Sequence, residues 1–380
     1  MIYIIVFLFT TFFTYVAQRT VSQKVFFYFF SALAVLFPAM LAGFRDSGIG
    51  TDTLIYVDHV WAKILLVPAW DDFMYSYSNK DFQDIEFLYL LLNWLVSQVS
   101  TDVHSIYFAA NLVVIYFVYR AAYDNRKKCD MWLVMLLFLL LYYNASLNLV
   151  RQSIALSMSI YAYKYIEREK WVKVAIWSYF VLLAHNTGVF FTFLWLIYLI
   201  FRLKSRILKR LLLLSFAIIV PVSLSMLDYI LFLSVNLGIL PEKFLMYMGG
   251  LEESALTKSA FIIYILFGIF LFGVWRFFRR VSCQLDSKLS MYAYFKFIGV
   301  LLFIGSLVSR WAFRVSYYIN YPADCLFLPR AAKLVKRRSF VMYKLSVCTI
   351  LLLAFVLWIW SIVIKNDNAT IPYKSQILGI

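Results

Sequence analysis

The sequence predicts an all-α fold, a polytopic transmembrane helix bundle. Of its 380 residues, 64% are hydrophobic and 15% are charged, whereas a soluble domain carries about 25% charged residues. Runs such as Met131–Val150 and Phe340–Ile364 approach or exceed the roughly 20 apolar residues that cross a bilayer as a helix. Neither run alternates apolar and polar residues as a barrel strand would. Since backbone groups in lipid must bond internally, helices are the expected spanning elements.

Apolar spans follow one another along the whole chain, which is predicted to be a single integral membrane domain, 1–380, of about 11–13 helices. The predicted spans are 1–17, 25–43, 105–122, 131–149, 152–166, 172–184, 187–201, 211–227, 261–277, 290–309, 315–329 and 340–364. A further apolar stretch, Ile85–Val99, contains Glu86, Asn93 and Gln98. We expect this stretch to lie in the membrane interface rather than to cross the membrane.

The net charge of +16 is typical of a membrane protein whose cytoplasmic loops collect Lys and Arg, so nucleic-acid binding is not expected. Five basic clusters fall on one predicted face. These clusters are Arg120/Arg126/Lys127/Lys128, Lys164/Arg168/Lys170/Lys173, Arg202/Lys204/Arg206/Lys209/Arg210, Arg276/Arg279/Arg280 and Lys333/Lys336/Arg337/Arg338. This placement of all five clusters on one face requires spans 172–184 and 187–201 to be separate helices that meet at residues 185–188.

The opposite face is predicted to lie outside the cytoplasm. Residues 44–84 form an acidic segment, which we interpret as an outer (periplasmic) loop carrying the Gly-Thr-Asp-Thr motif of residues 50–53. Further segments assigned to this face are 144–151, His185, 228–260, 310–314 and 365–380.

The outer loop begins with a candidate functional segment. Arg45 and Asp52 supply opposite charges there, while Gly48 and Gly50 permit tight turns. The alternative interpretation is an ordinary polar turn in which the Arg45 side chain extends toward the membrane–water interface.

Three other candidate sites place charged or titratable groups within apolar surroundings, where they are costly and usually functional. Arg151 interrupts two apolar runs, so an anionic partner is expected, and a structural ion pair is the alternative interpretation. His185 lies midway through a long apolar stretch and is either a packing residue or a proton acceptor. Arg310 and Arg314 are four residues apart and share a helix face, on a segment whose outer location opposes the usual charge bias.

All four candidate sites fall on the predicted outer face. The planar fork of arginine suits phosphate oxygens, so four arginines beside Asp52 and His185 favour a site for a diphosphate next to a base. No Cys or His spacing resembles a metal site, and no metal or other cofactor is expected.

The chain also resembles a known family. The pattern Arg45-(x)4-Gly50-Thr51-Asp52-Thr53-(x)2-Tyr56 resembles the first-loop signature of the EpsG family of polysaccharide-synthesis membrane proteins. Arg151-Gln152 followed by an apolar helix, then His185, is similar to the central pattern of that family. The Arg310/Arg314 stretch and Pro372-Tyr373 are similar as well. The likeness covers nearly the whole chain in order, although Asn186 follows the histidine where the family more often has serine.

This resemblance implies a Wzy-like O-antigen or capsular polysaccharide polymerase, similar in architecture to multi-helix lipid-linked glycosyltransferases. Such an enzyme transfers glycan from undecaprenyl diphosphate to a lipid-linked repeat unit at the outer face of the bacterial inner membrane. The implied roles are a base (Asp52), a second base or phosphate donor (His185), diphosphate ligands (Arg45, Arg151, Arg310, Arg314) and supporting residues (Thr51, Thr53, Tyr56, Gln152). The implied partners are an undecaprenyl-diphosphate-linked oligosaccharide, membrane lipid and a chain-length regulator.

Two other functions remain open from the sequence. A flippase or transporter of the lipid-linked unit would be expected to show internal repeats and broken helices at the membrane midplane, and we find no repeat. Another lipid-linked sugar transferase or ligase would use similar chemistry on a different acceptor.

Overall fold

The fold is all-α, as predicted. The computed structural model describes residues 2–83, 85–239, 287–305, 310–336 and 339–380, with isolated helical positions at 266, 269 and 273, and these residues contain no strand. The described helices are α1 (Ile2–Arg19), α2 (Lys24–Gly43), α3 (Asp58–Leu65), α4 (Trp70–Ser78), α5 (Phe87–Ser97), α6 (His104–Asp124), α7 (Met131–Leu141), α8 (Tyr143–Asn148), α9 (Val150–Glu167), α10 (Trp171–Ala184), α11 (Phe191–Arg202), α12 (Arg206–Ser225), α13 (Leu227–Asn236), α14 (Ser287–Gly305), α15 (Arg310–Pro322), α16 (Leu328–Lys336) and α17 (Phe340–Trp358).

Several of these helices have the length and composition to cross a membrane. Five such spans occur among the described residues, namely Ile2–Arg19, Lys24–Gly43, His104–Asp124, Arg206–Leu224 and Phe340–Ile364. Shorter apolar helices, such as α7 and α10, lie between them. This confirms the polytopic helical bundle. The total number of crossings stays a prediction, and most of the predicted span 261–277 lies outside the described residues.

The chain divides into two compact units. Unit 1 comprises Met1–Val189 and Leu328–Ile380, and unit 2 comprises Phe190–Phe327. The core of unit 1 is formed by α9, which packs against α6 and α10, together with α1, which packs against α2 and α7. Along α9, the small residues Ser153, Ala155 and Ser157 are buried, and small side chains allow neighbouring helices to approach closely.

The predicted span 131–149 is divided in the structure. Helix α7 ends at Leu141 and α8 starts at Tyr143. The cause is tertiary hydrogen bonding at the start of α8. The Tyr143 hydroxyl donates to the carbonyl oxygen of Pro38 at 2.6 Å, and the Asn144 amide donates to Thr370 Oγ1 at 2.9 Å. The apolar run gave no indication of these distant partners.

The predicted break at His185 is confirmed. Helix α10 ends at Ala184, His185 is extended (φ −164°, ψ 139°), and a 3₁₀ turn covers Asn186–Phe190. Gly188 permits this turn because a Cβ there would lie 2.4 Å from the backbone oxygen of Val181.

The segment predicted to be the outer loop, 44–84, contains helices of its own. A π-helical turn over Thr53–Val57 leads into α3, and α4 follows. The amphipathic pattern of α3 explains its formation, since it buries Val60 and Trp61 and leaves its polar residues outward. Helix α5 has 11 residues and extends about 16 Å, roughly half the thickness of a bilayer core. The interfacial location of Ile85–Val99 stays a prediction.

Basic and acidic side chains pair at one end of unit 1. Lys164 and Asp124 form an ion pair of 2.7 Å. Glu167 accepts hydrogen bonds from both terminal nitrogens of Arg330, at 2.7 and 3.0 Å, and from Lys128 at 3.0 Å. Burial raises the pKa of Glu167, but Arg330 and Lys128 together outweigh burial and lower that pKa to about 2. Lys333 donates to the backbone carbonyl oxygen of Arg126 at 3.2 Å, so members of three of the clusters predicted to be cytoplasmic meet at this end.

The other end of unit 1 gathers segments predicted to be outside. The C-terminal segment, 365–380, contacts α8 through the Asn144–Thr370 hydrogen bond. The same segment contacts the outer loop, because the backbone N–H of Asp46 donates to Lys374 O at 3.0 Å. The two ends of unit 1 are separated by the 18 residues of α9, which extend about 27 Å.

Replacing Arg330 with lysine is expected to lower the melting temperature of the purified protein. Arg330 is 7% exposed and donates to Glu167 from two nitrogens. A lysine keeps the charge but cannot make this pair of parallel hydrogen bonds. We expect a loss of about 1–3 kcal/mol in unfolding free energy. The control is Arg168→Lys, at an exposed position near the same end of α9. Equal melting temperatures for the two variants in detergent would contradict the prediction.

Candidate functional site

The Gly-Thr-Asp-Thr motif forms a turn held by hydrogen bonds. Gly50 has φ +80°, and its N–H donates to Ala369 O at 2.8 Å. The Thr53 hydroxyl donates to Gly50 O at 2.7 Å and accepts from the N–H of Gly48 at 2.9 Å. The Thr51 hydroxyl donates to Asn148 Oδ1, at the end of α8, at 2.7 Å. The two threonines therefore hold the turn in place.

Gly50→Ala is expected to destabilise this turn. The positive φ costs an L-residue about 1–2 kcal/mol, and a Cβ at this position would also lie 2.4 Å from the backbone oxygen of Leu147. Gly48→Ala is a matched control, since Gly48 has φ +92° but a Cβ there meets only the side chain of Leu54, at 3.5 Å. We expect Gly50→Ala to give the lower melting temperature and the larger loss of activity. Equal effects would show that the close approach to Leu147 is unimportant.

Asp52 links the turn to α9. Its Oδ2 accepts a hydrogen bond from the Tyr56 hydroxyl at 2.7 Å and from the backbone N–H of Val150 at 3.1 Å. Val150 is the first residue of α9, and the positive end of a helix stabilises a carboxylate there. Burial, and then the charge of Asp52, raise the pKa of Tyr56, so this tyrosine stays a neutral hydrogen-bond donor.

Arg151 lies over Tyr56 and is paired with an acid. The guanidinium carbon is 4.3 Å from the centre of the Tyr56 ring, within the range of a cation–π contact. Its Nη1 donates to Glu86 Oε2 at 2.6 Å, and the two side chains are 20% and 6% exposed. The anionic partner that the sequence required for Arg151 is therefore Glu86. The Nε of Arg151 is buried without a hydrogen-bond partner.

His185 approaches the same glutamate. Its Nδ1 is 3.9 Å from Glu86 Oε1, and that oxygen accepts from the backbone N–H of Asn186 at 3.0 Å. The backbone N–H of Thr187 donates to His185 Nδ1 at 3.0 Å. Since Nδ1 accepts this hydrogen bond, the proton of the neutral imidazole lies on Nε2. We call Asp52, Tyr56, Glu86, Arg151 and His185 the Asp52–His185 cluster.

Glu86 is the cluster member that sequence reasoning missed. It was noted only as a polar residue of Ile85–Val99, yet it joins Arg151 to the segment after α10. The available signal was an acid directly before the apolar run of α5. Gln152, predicted to support the site, is 2% exposed on α9.

Arg45 is buried among tyrosines. It is 2% exposed, and its guanidinium carbon lies 5.0 Å from the centre of the Tyr107 ring. Burial lowers its pKa, and nearby tyrosines, including Tyr143, oppose this effect. Among the described residues, its Nε and Nη1 have no hydrogen-bond partner. Within the described part of the chain, no ion pair or hydrogen bond joins Arg45 to the Asp52–His185 cluster, so its role as a diphosphate ligand stays a prediction.

Arg310 and Arg314 both lie on α15, in unit 2. Arg314 is partly buried, and the side chain of Arg310 lies outside the described residues. Their predicted convergence with Asp52, Arg151 and His185 stays a prediction. Among the side chains that the structure describes, no group of three or more His, Cys, Asp or Glu could hold a metal ion.

The fold and the site define a class of protein, a helical membrane protein with a partly buried cluster of charged and titratable side chains at one end of its helices. The model of the EpsG family matches residues 27–375, which is nearly the whole chain, and the chain belongs to this family. Membership of this family is consistent with a membrane protein that takes part in polysaccharide synthesis. No curated protein and no solved structure matches the chain significantly.

Proposed function

We propose that this protein is a polysaccharide polymerase. In this proposal it transfers a glycan from undecaprenyl diphosphate to a lipid-linked repeat unit at the outer face of the bacterial inner membrane. Membership of the EpsG family supports a role in polysaccharide synthesis. The single observation that carries the reaction is the contact of Asp52 and Arg151 with the same tyrosine, Tyr56, at the start of α9. In this proposal the Asp52 carboxylate is the proton acceptor and Arg151 is the cation beside it.

The proposed reaction needs one base and several cations. An acceptor hydroxyl attacks the anomeric carbon of the donor, its proton passes to Asp52, and the bond from that carbon to the diphosphate oxygen breaks. The diphosphate is a good leaving group and needs no proton, unlike the alcohol that a glycosidase expels with a second carboxyl group. Positive groups stabilise the charge that develops on the departing oxygen.

The second carboxylate of the cluster has another role in this proposal. Glu86 accepts hydrogen bonds from Arg151 and from the backbone N–H of Asn186, so it positions the arginine rather than acting on the sugar. With His185 neutral, the two carboxylates and one guanidinium give the cluster a net charge of about minus one. A diphosphate therefore requires further cations, and the proposal assigns these to Arg45, Arg310 and Arg314.

The location of the cluster supports a transferase over a transporter. Asp52 contacts the first turn of α9, Arg151 belongs to that turn, and His185 directly follows α10. Transporters commonly bind substrate near the membrane midplane, whereas the sequence predicts that these residues lie at the outer ends of their helices. Transfer to a different acceptor, as in a ligase, is the second candidate, since it would use the same cluster.

The test is reconstitution of the full-length protein in liposomes that contain undecaprenyl-diphosphate-linked repeat units from the host strain. We expect a ladder of longer lipid-linked glycans and release of undecaprenyl diphosphate. Movement of repeat units across the bilayer without elongation would overturn the proposal in favour of a flippase. Addition of a chain-length regulator is expected to change the length distribution without being needed for elongation.

A further inference from the structure

A pocket of about 490 Å³ opens beside the Asp52–His185 cluster, within unit 1. Its wall includes Tyr77 at the end of α4, Lys80 and Gln83 in the following loop, and Glu86 and Phe87 at the start of α5. Asn186 and the end of α10 close the other side. The volume falls within the range of about 300–1,000 Å³ that is usual for small-molecule sites.

The loop that forms this wall holds an unusual backbone. Lys80 has φ +61° and Gln83 has φ +59°, a region that residues other than glycine rarely adopt. Hydrogen bonds fix this shape, since Gln83 N–H donates to Lys80 O at 2.8 Å and Lys63 Nζ donates to Asp81 O at 2.8 Å. Backbones of this kind persist where the surrounding structure enforces them, often at ligand sites.

The chemistry of the lining suits a carbohydrate. The side chains of Gln83 and Asn186 offer amide donors and acceptors, and Lys80 offers donors only. Tyr77 is 37% exposed, and its ring meets the ring of Phe87 edge-on with centroids 5.1 Å apart. Sugars present both hydroxyl groups and apolar C–H faces, so they match a wall that mixes amides with an exposed aromatic ring.

We infer that this pocket is a saccharide-binding subsite that holds one or two sugar units of the glycan next to the reacting centre. Glu86 connects the two regions, because it lines the pocket and also pairs with Arg151. The inference rests on the proposed function, since it names a place for part of the substrate. The glycan could belong to the donor or to the acceptor, and both offer the same sugars to the pocket.

The first test measures binding without catalysis. The probe is the repeat-unit oligosaccharide of the host strain, released from its lipid by mild acid, and binding to the full-length protein is followed by saturation-transfer NMR. We expect Tyr77→Ala and Gln83→Ala each to weaken binding about tenfold. Tyr75→Ala is the matched control, because Tyr75 is 70% exposed on the same short helix and is not among the residues described as lining the pocket. No binding by the wild type, or equal affinities in all variants, would overturn the inference.

A second measurement separates this inference from the proposed function. Asp52→Asn is expected to bind the free oligosaccharide normally although it forms no polymer. Normal binding together with a wild-type protein that never elongates glycans would defeat the polymerase and leave the subsite standing. In the elongation assay, Gln83→Ala is expected to raise KM for only one substrate, and this distinguishes the donor from the acceptor. An unchanged KM for both substrates would overturn the subsite.

Discussion

Replacing Asp52 with asparagine is expected to abolish polymer formation while the protein still inserts and folds. The asparagine oxygen can still accept hydrogen bonds from Tyr56 and from the N–H of Val150, which are the contacts that Asp52 makes. The amide cannot take a proton from an acceptor hydroxyl, and loss of a general base costs about 10²- to 10⁴-fold in rate. The measurements are the glycan ladder in reconstituted liposomes and the melting temperature in detergent.

Asp58→Asn provides a chemically matched control. Asp58 also accepts a hydrogen bond from a tyrosine hydroxyl, that of Tyr107, and from Ser47. It lies six positions further along the chain, and among the residues that the structure describes no hydrogen bond or ion pair joins its side chain to the Asp52–His185 cluster. We expect this variant to elongate glycans nearly normally. Long polymer from Asp52→Asn would remove the proposed base.

Arg151→Ala is expected to reduce both stability and activity. The substitution leaves Glu86, 6% exposed, without its ion-pair partner, and breaking a buried pair in this way costs about 3–5 kcal/mol. The same change removes a cation from the proposed diphosphate site, which is expected to lower the rate by at least about 100-fold. The readouts are again the melting temperature and the glycan ladder.

The double variant Arg151→Ala/Glu86→Gln separates these two effects. A neutral glutamine removes the unpaired charge, so we expect the melting temperature to recover in large part while polymer remains absent. Recovery of polymer together with stability would mean that Arg151 serves only the fold. Arg120→Ala, which removes a cation–π contact with Tyr123 at the other end of unit 1, is expected to leave elongation intact.

The sequence was sufficient for the helical class because hydrophobic runs of bilayer length are a local property. It also predicted the break at His185, since only two short helices there satisfy the charge bias. The split between α7 and α8 was not predictable, because it depends on hydrogen bonds from Tyr143 and Asn144 to residues far away in the chain.

The candidate site was predicted only in part, because its pairings also depend on contacts between residues that lie far apart in the chain. An arginine between apolar runs requires an anion, but the sequence does not say which one, and Glu86 lies 65 positions before Arg151. Arg45 was grouped with the other arginines by its charge, its predicted outer face and its place in the family-like pattern. Its enclosure beside Tyr107 depends on packing that no local pattern encodes.

The hydrogen bonds between the outer loop and the C-terminal segment have a consequence for biogenesis. Gly50 and Asp46 bind Ala369, Lys374 and Gln376, and the Asp46–Gln376 contact joins residues 330 positions apart. The turn that carries Asp52 is therefore translated early, but it acquires these partners only after most of the polypeptide has left the ribosome and been inserted. Until then, a nascent chain lacks the backbone contacts that hold its acidic turn.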